Sequence, residues 1–336
     1  MVAIIILNWN GWEDTIACLD SLLKIKYNEF FVFVGDNGST NESKEKISSF
    51  CKYNEKKYKW IAFSEEYSYT IQNRQIYLWD LQKNHGFAKG NNILIREASK
   101  SNPDYYLLLN NDTEVEPDFL SKLVQYQKNN SELKVLTPLI HYYDDKSYIW
   151  NAGGNLFWGI RKYHYGDASR IKVTEKDFIS CTFITGCALF CVPDVLMDDK
   201  KLFTEAFFHG EEDFDFGLRM KKQGIKMGCV IQSVIYHKVG RTSGHVGTKI
   251  GLAYCHYLNR FINLRHHLNT VSFYSFVFVY SIYVIYILLS KGFTLRDSIR
   301  FYWKVLCESL KLDGVSNAIF MKYIVEKEIK DILIKS

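Results

Sequence analysis

Apolar and polar positions fall along this chain in blocks of two kinds. Continuous apolar runs at Ala3–Leu7, Phe30–Val34 and Tyr105–Leu109 each stop at a polar cluster. Runs of that length, apolar on both faces, predict buried parallel strands. Between them lie segments with helical spacing. Asp14–Lys24 places Ile16, Leu19, Leu22 and Leu23 on one side,. Ser39-x-x-Glu42 has the pattern of a capping box and predicts a helix start there,. A further helix is expected from the polar cluster Asn84–Asn92 to about Lys100. Another follows Pro117, with Phe119, Leu120, Leu123 and Val124 as its apolar face,. Residues 52–79 are rich in Lys, Tyr and Glu and predict a loop with one or two edge strands, the pattern resuming at Ile76–Leu81.

Alternating strands and helices predict an α/β fold with a parallel sheet covered on both faces. In such sheets ligands bind outside the carboxyl ends of the strands. Asp36, the cluster after Leu81 and Asp112 all fall at strand ends. Three polar clusters at three strand ends describe one site.

Composition narrows the class. The chain has 336 residues, 47% hydrophobic and 24% charged, which supports a large core and excludes global disorder,. The formal charge of +5 is uneven: from His256 onward there are 11 Lys/Arg against 6 Asp/Glu, and the preceding residues balance. A neutral body with a basic, aromatic tail points to an anionic surface near the C-terminus and away from a nucleic-acid-coating protein. Plain helix-surface lysines are the alternative. The eight Cys form no C-x-x-C and several sit in apolar runs, which predicts buried, reduced thiols in a cytosolic protein with no secretory leader,. Asn269–Ser290 is a 22-residue run without a charge. Three readings fit it: a spanning helix, an interfacial helix, or a helix buried against the body. Its tyrosines and flanking Lys/Arg favour the interface.

Four segments carry candidate chemistry. Asn110-Asn111-Asp112, after a buried strand, can hold a hard divalent cation through oxygen ligands, or can simply be a turn. Glu211-Glu212-Asp213-Phe214-Asp215 opens a helix-like segment that ends near Gly224,. Its acids suit a helix N-terminus, yet four carboxylates in five residues exceed what capping needs. Mutual repulsion raises some of their pKa values and can poise a general base. Gly86-Phe87-Ala88-Lys89-Gly90 precedes a helix and allows close backbone approach to an anion or a base edge, without forming a dinucleotide or Walker loop. His237 closes the apolar run Val230–Tyr236, either as a structural residue or as a nitrogen ligand to the cation at Asp112,.

The segments Ile5-Ile6-Leu7-Asn8-Trp9-Asn10-Gly11, Asp36-Asn37-Gly38-Ser39, Asn84–Asn92, Leu109-Asn110-Asn111-Asp112-Thr113, Thr185-Gly186 and Phe208–Asp215 occur in that order. Together they resemble family 2 glycosyltransferases, over about residues 1–245, and within them the bacterial rhamnosyltransferase-like branch. The resemblance implies a GT-A fold, Rossmann-like, with a mostly parallel sheet and helices on both faces. It implies inverting, metal-dependent transfer of a sugar from a nucleotide donor, dTDP-rhamnose or a UDP-hexose, to a hydroxyl. Asp213 matches the catalytic aspartate, with Glu212 and Asp215 supporting it or the acceptor. Asn8 and Asp36 match the nucleotide pocket, and Asn84, Gly86, Asn91 and Asn92 the loop near the nucleoside and ribose. Asn111 and Gly186 join the donor-binding set. Asn110, Asp112 and His237 match the positions that hold Mg²⁺ or Mn²⁺. Asn110 replaces the usual first aspartate and removes one negative charge from that site.

The resemblance also implies a transferase domain at 1–250. Residues 251–336 are read as a helical, basic-aromatic region at the cytoplasmic face of the inner membrane. There it would meet a glycan or polyprenyl-diphosphate-linked acceptor of bacterial surface polysaccharide synthesis. The rival readings are a sugar nucleotidyltransferase, a non-catalytic nucleotide- or glycan-binding protein on a decayed transferase fold, and a membrane-associated structural protein.

Overall fold

A computed structural model describes residues 1–54, 60–62, 70–166, 168–169, 175–239 and 249–324. Parts of the 52–79 segment and the last twelve residues of the basic tail therefore lie outside the described residues. The first half alternates as the pattern predicts. It runs β1 (Val2–Asn8), α1 (Trp12–Leu23), β2 (Phe30–Asp36), α2 (Ser43–Tyr53), β3 (Trp60–Ala62), β4 (Ile76–Asp80), α3 (Phe87–Ser99) and β5 (Tyr105–Leu109). Then follow β6 (Thr113–Val115), α4 (Phe119–Asn129), β7 (Leu133–Tyr142), β8 (Tyr148–Asn151), β9 (Gly154–Phe157), β10 (Ile160–Tyr163) and β11 (Ala168–Ser169). The body closes with β12 (Phe178–Cys181), β13 (Ala188–Cys191), α5 (Glu212–Lys222) and β14 (Lys226–His237). Four helices complete the chain: α6 (Lys249–His267), α7 (Thr270–Ser290), α8 (Leu295–Ser309) and α9 (Asn317–Ile324).

Five strands in the order β5-β1-β2-β4-β3 run parallel and form the centre of the sheet. β2 and β5 are buried along their whole length, which is why their sequences read as unbroken apolar runs,. β13 inserts antiparallel between β5 and β7, and β14 runs parallel to β7. Register aligns the strand ends: Asn8 lies opposite Asp36, and Asp36 opposite Asp80. A second apolar cluster joins Leu156, Phe183, Phe207 and Phe214 of the body to α6–α9. All eight cysteines are free thiols and seven are buried, as their apolar neighbourhoods predict.

One expected helix start is not realised. Glu42 is the N-cap of α2, and no side-chain hydrogen bond caps it. Ser39 is used elsewhere: its Oγ accepts from Asn10 N at 2.8 Å and Asn8 Nδ2 at 3.2 Å. The hydroxyl that would have capped a helix instead ties two strand-end turns together.

Gly86 precedes α3 with φ of +80°, and a Cβ there would stand 2.3 Å from the Phe208 carbonyl oxygen. Only glycine meets both the dihedral and the close approach. Gly86→Ala is expected to cost about 1–3 kcal/mol from strain alone. Urea unfolding checks this, and an unchanged midpoint would reject it.

Candidate active site

The turns after β1, β2 and β5 are welded by side chains. Asn8 is central: its Nδ2 donates to Asp36 Oδ2 at 2.9 Å, and its Oδ1 accepts from Thr15 Oγ1 at 2.9 Å. Thr15 in turn accepts from Asn111 Nδ2 at 3.0 Å. Asn8, Asp36 and Asn111, far apart in the chain, thus form one buried chain of hydrogen bonds. Asp36 also accepts from Ser39 N at 2.9 Å and has no exposed surface. In this arrangement Asp36 organises the turn. A direct contact with a nucleobase, as the resemblance implies, requires the 37–41 turn or Asn8 to give way.

The loop before α3 joins the same network. Asn84 Oδ1 accepts from Asn37 Nδ2 at 3.1 Å and from Gly86 N at 2.8 Å. Asn91 donates back to Phe87 O at 2.9 Å. Asn92 departs from its expected place at the donor. Its Oδ1 accepts from Leu202 N and Phe203 N, each at 3.1 Å, and its Nδ2 donates to Phe203 O and Glu205. Every polar valence of that amide is spent inside the protein, so Asn92 buckles α3 to the 202–205 loop rather than facing a ligand.

The ladder between β6 and β14 sets His237 opposite Thr113, beside Asp112. His237 Nε2 stands 3.1 Å from Asp112 Oδ1, and both residues are buried. The Trp150 ring packs edge-on against His237 at 4.4 Å. Burial opposes a charged imidazole here, yet the adjoining Cys187 and Asp112 outweigh it and raise the His237 pKa. Once the ring gives up the proton it shares with Asp112, a carboxylate oxygen and an imidazole nitrogen at this separation match adjacent corners of a coordination octahedron with bonds of about 2.1 Å. These two side chains fit a divalent cation. Among the described residues, no three His, Cys, Asp or Glu side chains form a complete cage. The remaining ligands would come from water and a bound anion, the usual state of Mg²⁺ sites. The Asn110 backbone ties this strand end to the Gly186–Cys187 turn: its N–H donates to Cys187 O at 2.8 Å and its carbonyl accepts from Thr113 Oγ1 at 2.7 Å.

The acidic segment opens α5 and divides into two pairs. Glu211 and Asp215 are held ionised. Arg260 of α6 grips Glu211 through Nε at 2.6 Å and Nη2 at 2.8 Å, which outweighs burial and keeps the carboxyl below its ordinary range. Arg219 Nε at 2.8 Å and His267 Nε2 at 2.8 Å do the same for Asp215. Glu212 and Asp213 move the other way. Burial, then the Asp213 charge, raise Glu212, whose Oε2 is buried without a hydrogen-bond partner. Burial also raises Asp213, with Glu211 adding to it. Arg161 of β10, at 3.5 Å, and the backbone N–H groups of Gly186 and Phe214 pull Asp213 back toward ionisation. Carboxylates driven apart in this way mark acid–base chemistry.

Gly186 and Cys187 bridge the two halves. Gly186 meets Asp213 through its backbone, and Cys187 meets both His237 and Asn110. The candidate cation ligands and the candidate base therefore flank a single turn. Sequence reasoning missed Arg161, Arg260 and His267. Each lies about fifty residues from the acid it pairs with, and no local pattern marks it.

Glu212 gives a pH prediction. Its pKa rises from 4.5 to about 8 in the folded chain. Between those values the folded state holds a proton that the unfolded state has lost. Stability from this group is therefore greatest below that window and falls as pH rises through it. Glu212→Gln is expected to flatten the decline in urea-unfolding free energy over that range. An unchanged slope would show that Glu212 is ionised in the fold.

Comparison with known proteins agrees with this geometry. The family model for "Glycosyl transferase family 2" matches residues 3–191, and that for "Glycosyl transferase family group 2" matches residues 105–312. Among solved structures, S. aureus TarS 1–349 superposes with a TM-score of 0.54 at 14% identity, over 98% of this chain and 82% of that one. The mannosyltransferase PcManGT from Pyrobaculum calidifontis, in complex with GDP-Man and Mn²⁺, gives 0.53 at 12% identity over 99% and 84%. GalNAc-T7 with UDP, GalNAc and Mn²⁺ gives 0.57 at 16% identity, over 98% of this chain and 57% of that longer one. A comparison with curated proteins gives no match. The fold is GT-A, and the class is that of the glycosyltransferases. The chain belongs to glycosyl transferase family 2.

Proposed function

We propose that this protein transfers a sugar from a nucleotide-sugar donor, dTDP-rhamnose or a UDP-hexose, to a hydroxyl of a glycan or lipid-linked acceptor, with inversion. The pathway we assign is bacterial surface polysaccharide synthesis, at the cytoplasmic face of the inner membrane. The observation that carries the reading is the Gly186–Cys187 turn, which has Asp213 on one side and the Asp112–His237 pair on the other. Neighbours of the same fold are shown with GDP-Man and Mn²⁺ and with UDP-GlcNAc, which supports a nucleotide-sugar donor and a divalent ion.

Each residue has a task in this reading. Asp112 and His237 would hold Mg²⁺ or Mn²⁺, which would supply charge stabilisation to a leaving diphosphate when bound. Asn8, Asp36, Asn84, Gly86 and Asn111 shape the nucleoside pocket by fixing its three turns. Asp213 takes the proton from the acceptor hydroxyl, which attacks the anomeric carbon opposite the leaving group. Arg161 keeps Asp213 ionised for that step. Glu211 and Asp215, locked to Arg260 and His267, hold the first turn of α5 in place.

The test is a thermal-shift titration with dTDP, UDP, GDP and their sugars, with and without Mn²⁺ or Mg²⁺. A metal-dependent rise with one nucleotide is expected, together with its loss in Asp112→Ala. A shift that ignores both metal and Asp112 would remove the cation assignment. No shift with any nucleotide would favour a glycan-binding protein on a decayed transferase fold.

A further inference from the structure

α7 has two faces of similar chemistry and opposite fate. Phe273, Phe276, Val277, Val284 and Leu288 are buried along nearly its whole length, in the apolar cluster that α7 shares with α6 and α8. Tyr302 of α8 pins its middle, donating from its hydroxyl to Val277 O at 2.6 Å. On the other side Val271, Tyr274, Phe278, Ile282, Tyr286 and Leu289 form one exposed stripe at helical spacing, with Phe278 71% exposed. Mean hydropathy along the helix reaches 1.9. A soluble monomer rarely exposes a continuous apolar stripe of this length.

Two further exposed apolar groups lie on elements that pack beside α7. The tip of the β9–β10 hairpin presents Phe157, which is 76% exposed, and Trp158, whose ring packs at 5.9 Å against Phe276 on the covered side of α7. On α8, exposed Leu295, Ile299 and Trp303 recur every four residues, and Arg296, Arg300 and Lys304 follow one position behind. Lys291 lies at the end of α7. The acids nearby are engaged: Asp297 with the Thr294 cap, and Glu308 with Tyr254, Tyr323 and, at 3.9 Å, Lys304, so Arg296 and Arg300 carry the charge of the stripe. An apolar, tyrosine-rich face bordered by a cationic stripe has the chemistry of a helix lying in an anionic lipid interface.

We propose that α7 and the outer face of α8 seat this protein flat on an anionic bilayer, with α7 in the interface plane and not across it. Spanning would strip five side chains of α7 from their packing beside α6 and α8 and break the Tyr302 bond. The hairpin gives the seat a mechanical consequence. Its tip packs on the covered side of α7 and its strand β10 carries Arg161, 3.5 Å from Asp213, so the membrane-seated helix and the candidate base meet through one short element. This inference deepens the membrane placement proposed above and rests on it. Donor binding is tested separately.

The experiment is co-sedimentation of the full chain with vesicles of phosphatidylcholine alone and of phosphatidylcholine with phosphatidylglycerol. Binding to the anionic vesicles is expected, weakened by salt and released by alkaline carbonate. Arg296→Glu with Arg300→Glu is expected to weaken it by about tenfold or more, and Phe278→Glu with Ile282→Glu to abolish it. All variants should keep the wild-type nucleotide thermal shift, which separates this outcome from failure of the transferase reading. Three results would overturn the proposal: no vesicle binding, retention after carbonate as a spanning helix, or a dimer in solution that the Phe278→Glu, Ile282→Glu variant splits. In the last case a second copy covers the face.

Discussion

Asp213→Asn is expected to lower the turnover of sugar transfer by roughly 10²–10⁴-fold and to leave nucleotide affinity near that of the parent protein. Asparagine keeps the shape and still accepts the Gly186 N–H, but it cannot take a proton. The nucleotide turns are held by Asn8, Asp36 and Asn84 and do not depend on this carboxylate. Equal loss of transfer and nucleotide binding would count against Asp213 as base. The pH profile supplies a second reading. Burial raises the Asp213 pKa, so activity should fall on acidification at a higher pH than an ordinary aspartate gives. Arg161→Met removes the opposing cation and should move that acidic limb higher still. A limb that stays in place would assign it to another group.

The second large effect concerns stability. Arg260→Met is expected to destabilise the fold by about 3–5 kcal/mol, because it leaves the buried Glu211 carboxylate uncompensated. Arg260 and Glu211 are both nearly sealed, at 5% and 1% side-chain exposure. The arginine also donates from Nη1 to Gly159 O at 2.9 Å and lies 3.9 Å over the Phe214 ring. Glu211 sits at φ +73°, on the turn that launches α5, so the same change should also reduce transfer. Adding Glu211→Gln should recover part of the lost stability, since the unpaired charge is then gone. Denaturant unfolding of both singles and the double checks this. Independent, additive losses would show that the pair is not coupled.

Much of the fold was legible in the sequence. Strands buried on both faces are apolar along their length, and β1 before Asn8, β2 before Gly35 and all of β5 show it. Their ends are legible for the same reason: a run of apolar residues stops where the chain reaches polar surroundings, at Asn8, Asp36 and Asn110. The capping-box reading of Ser39 failed because a local pattern cannot show which distant donor competes for a hydroxyl. Asn10 and Asn8 reach it first. Asn92 was placed at the ligand for a related reason. Motif position does not show which way a helical side chain faces, and this one faces the 202–205 loop.

The sequence by itself determined the alternation of elements, the strand-end clusters and the presence of an uncharged helix near the C-terminus. Each of these is written in spacing over ten or twenty residues. Only the tertiary structure decided which acids are ionised, which cations hold them and which side of α7 is covered. Those outcomes depend on Arg260 reaching Glu211, Arg161 reaching Asp213 and α8 lying under α7. Coulomb energy and burial are set by distance in space, and the folded chain brings together groups that its order keeps fifty residues apart.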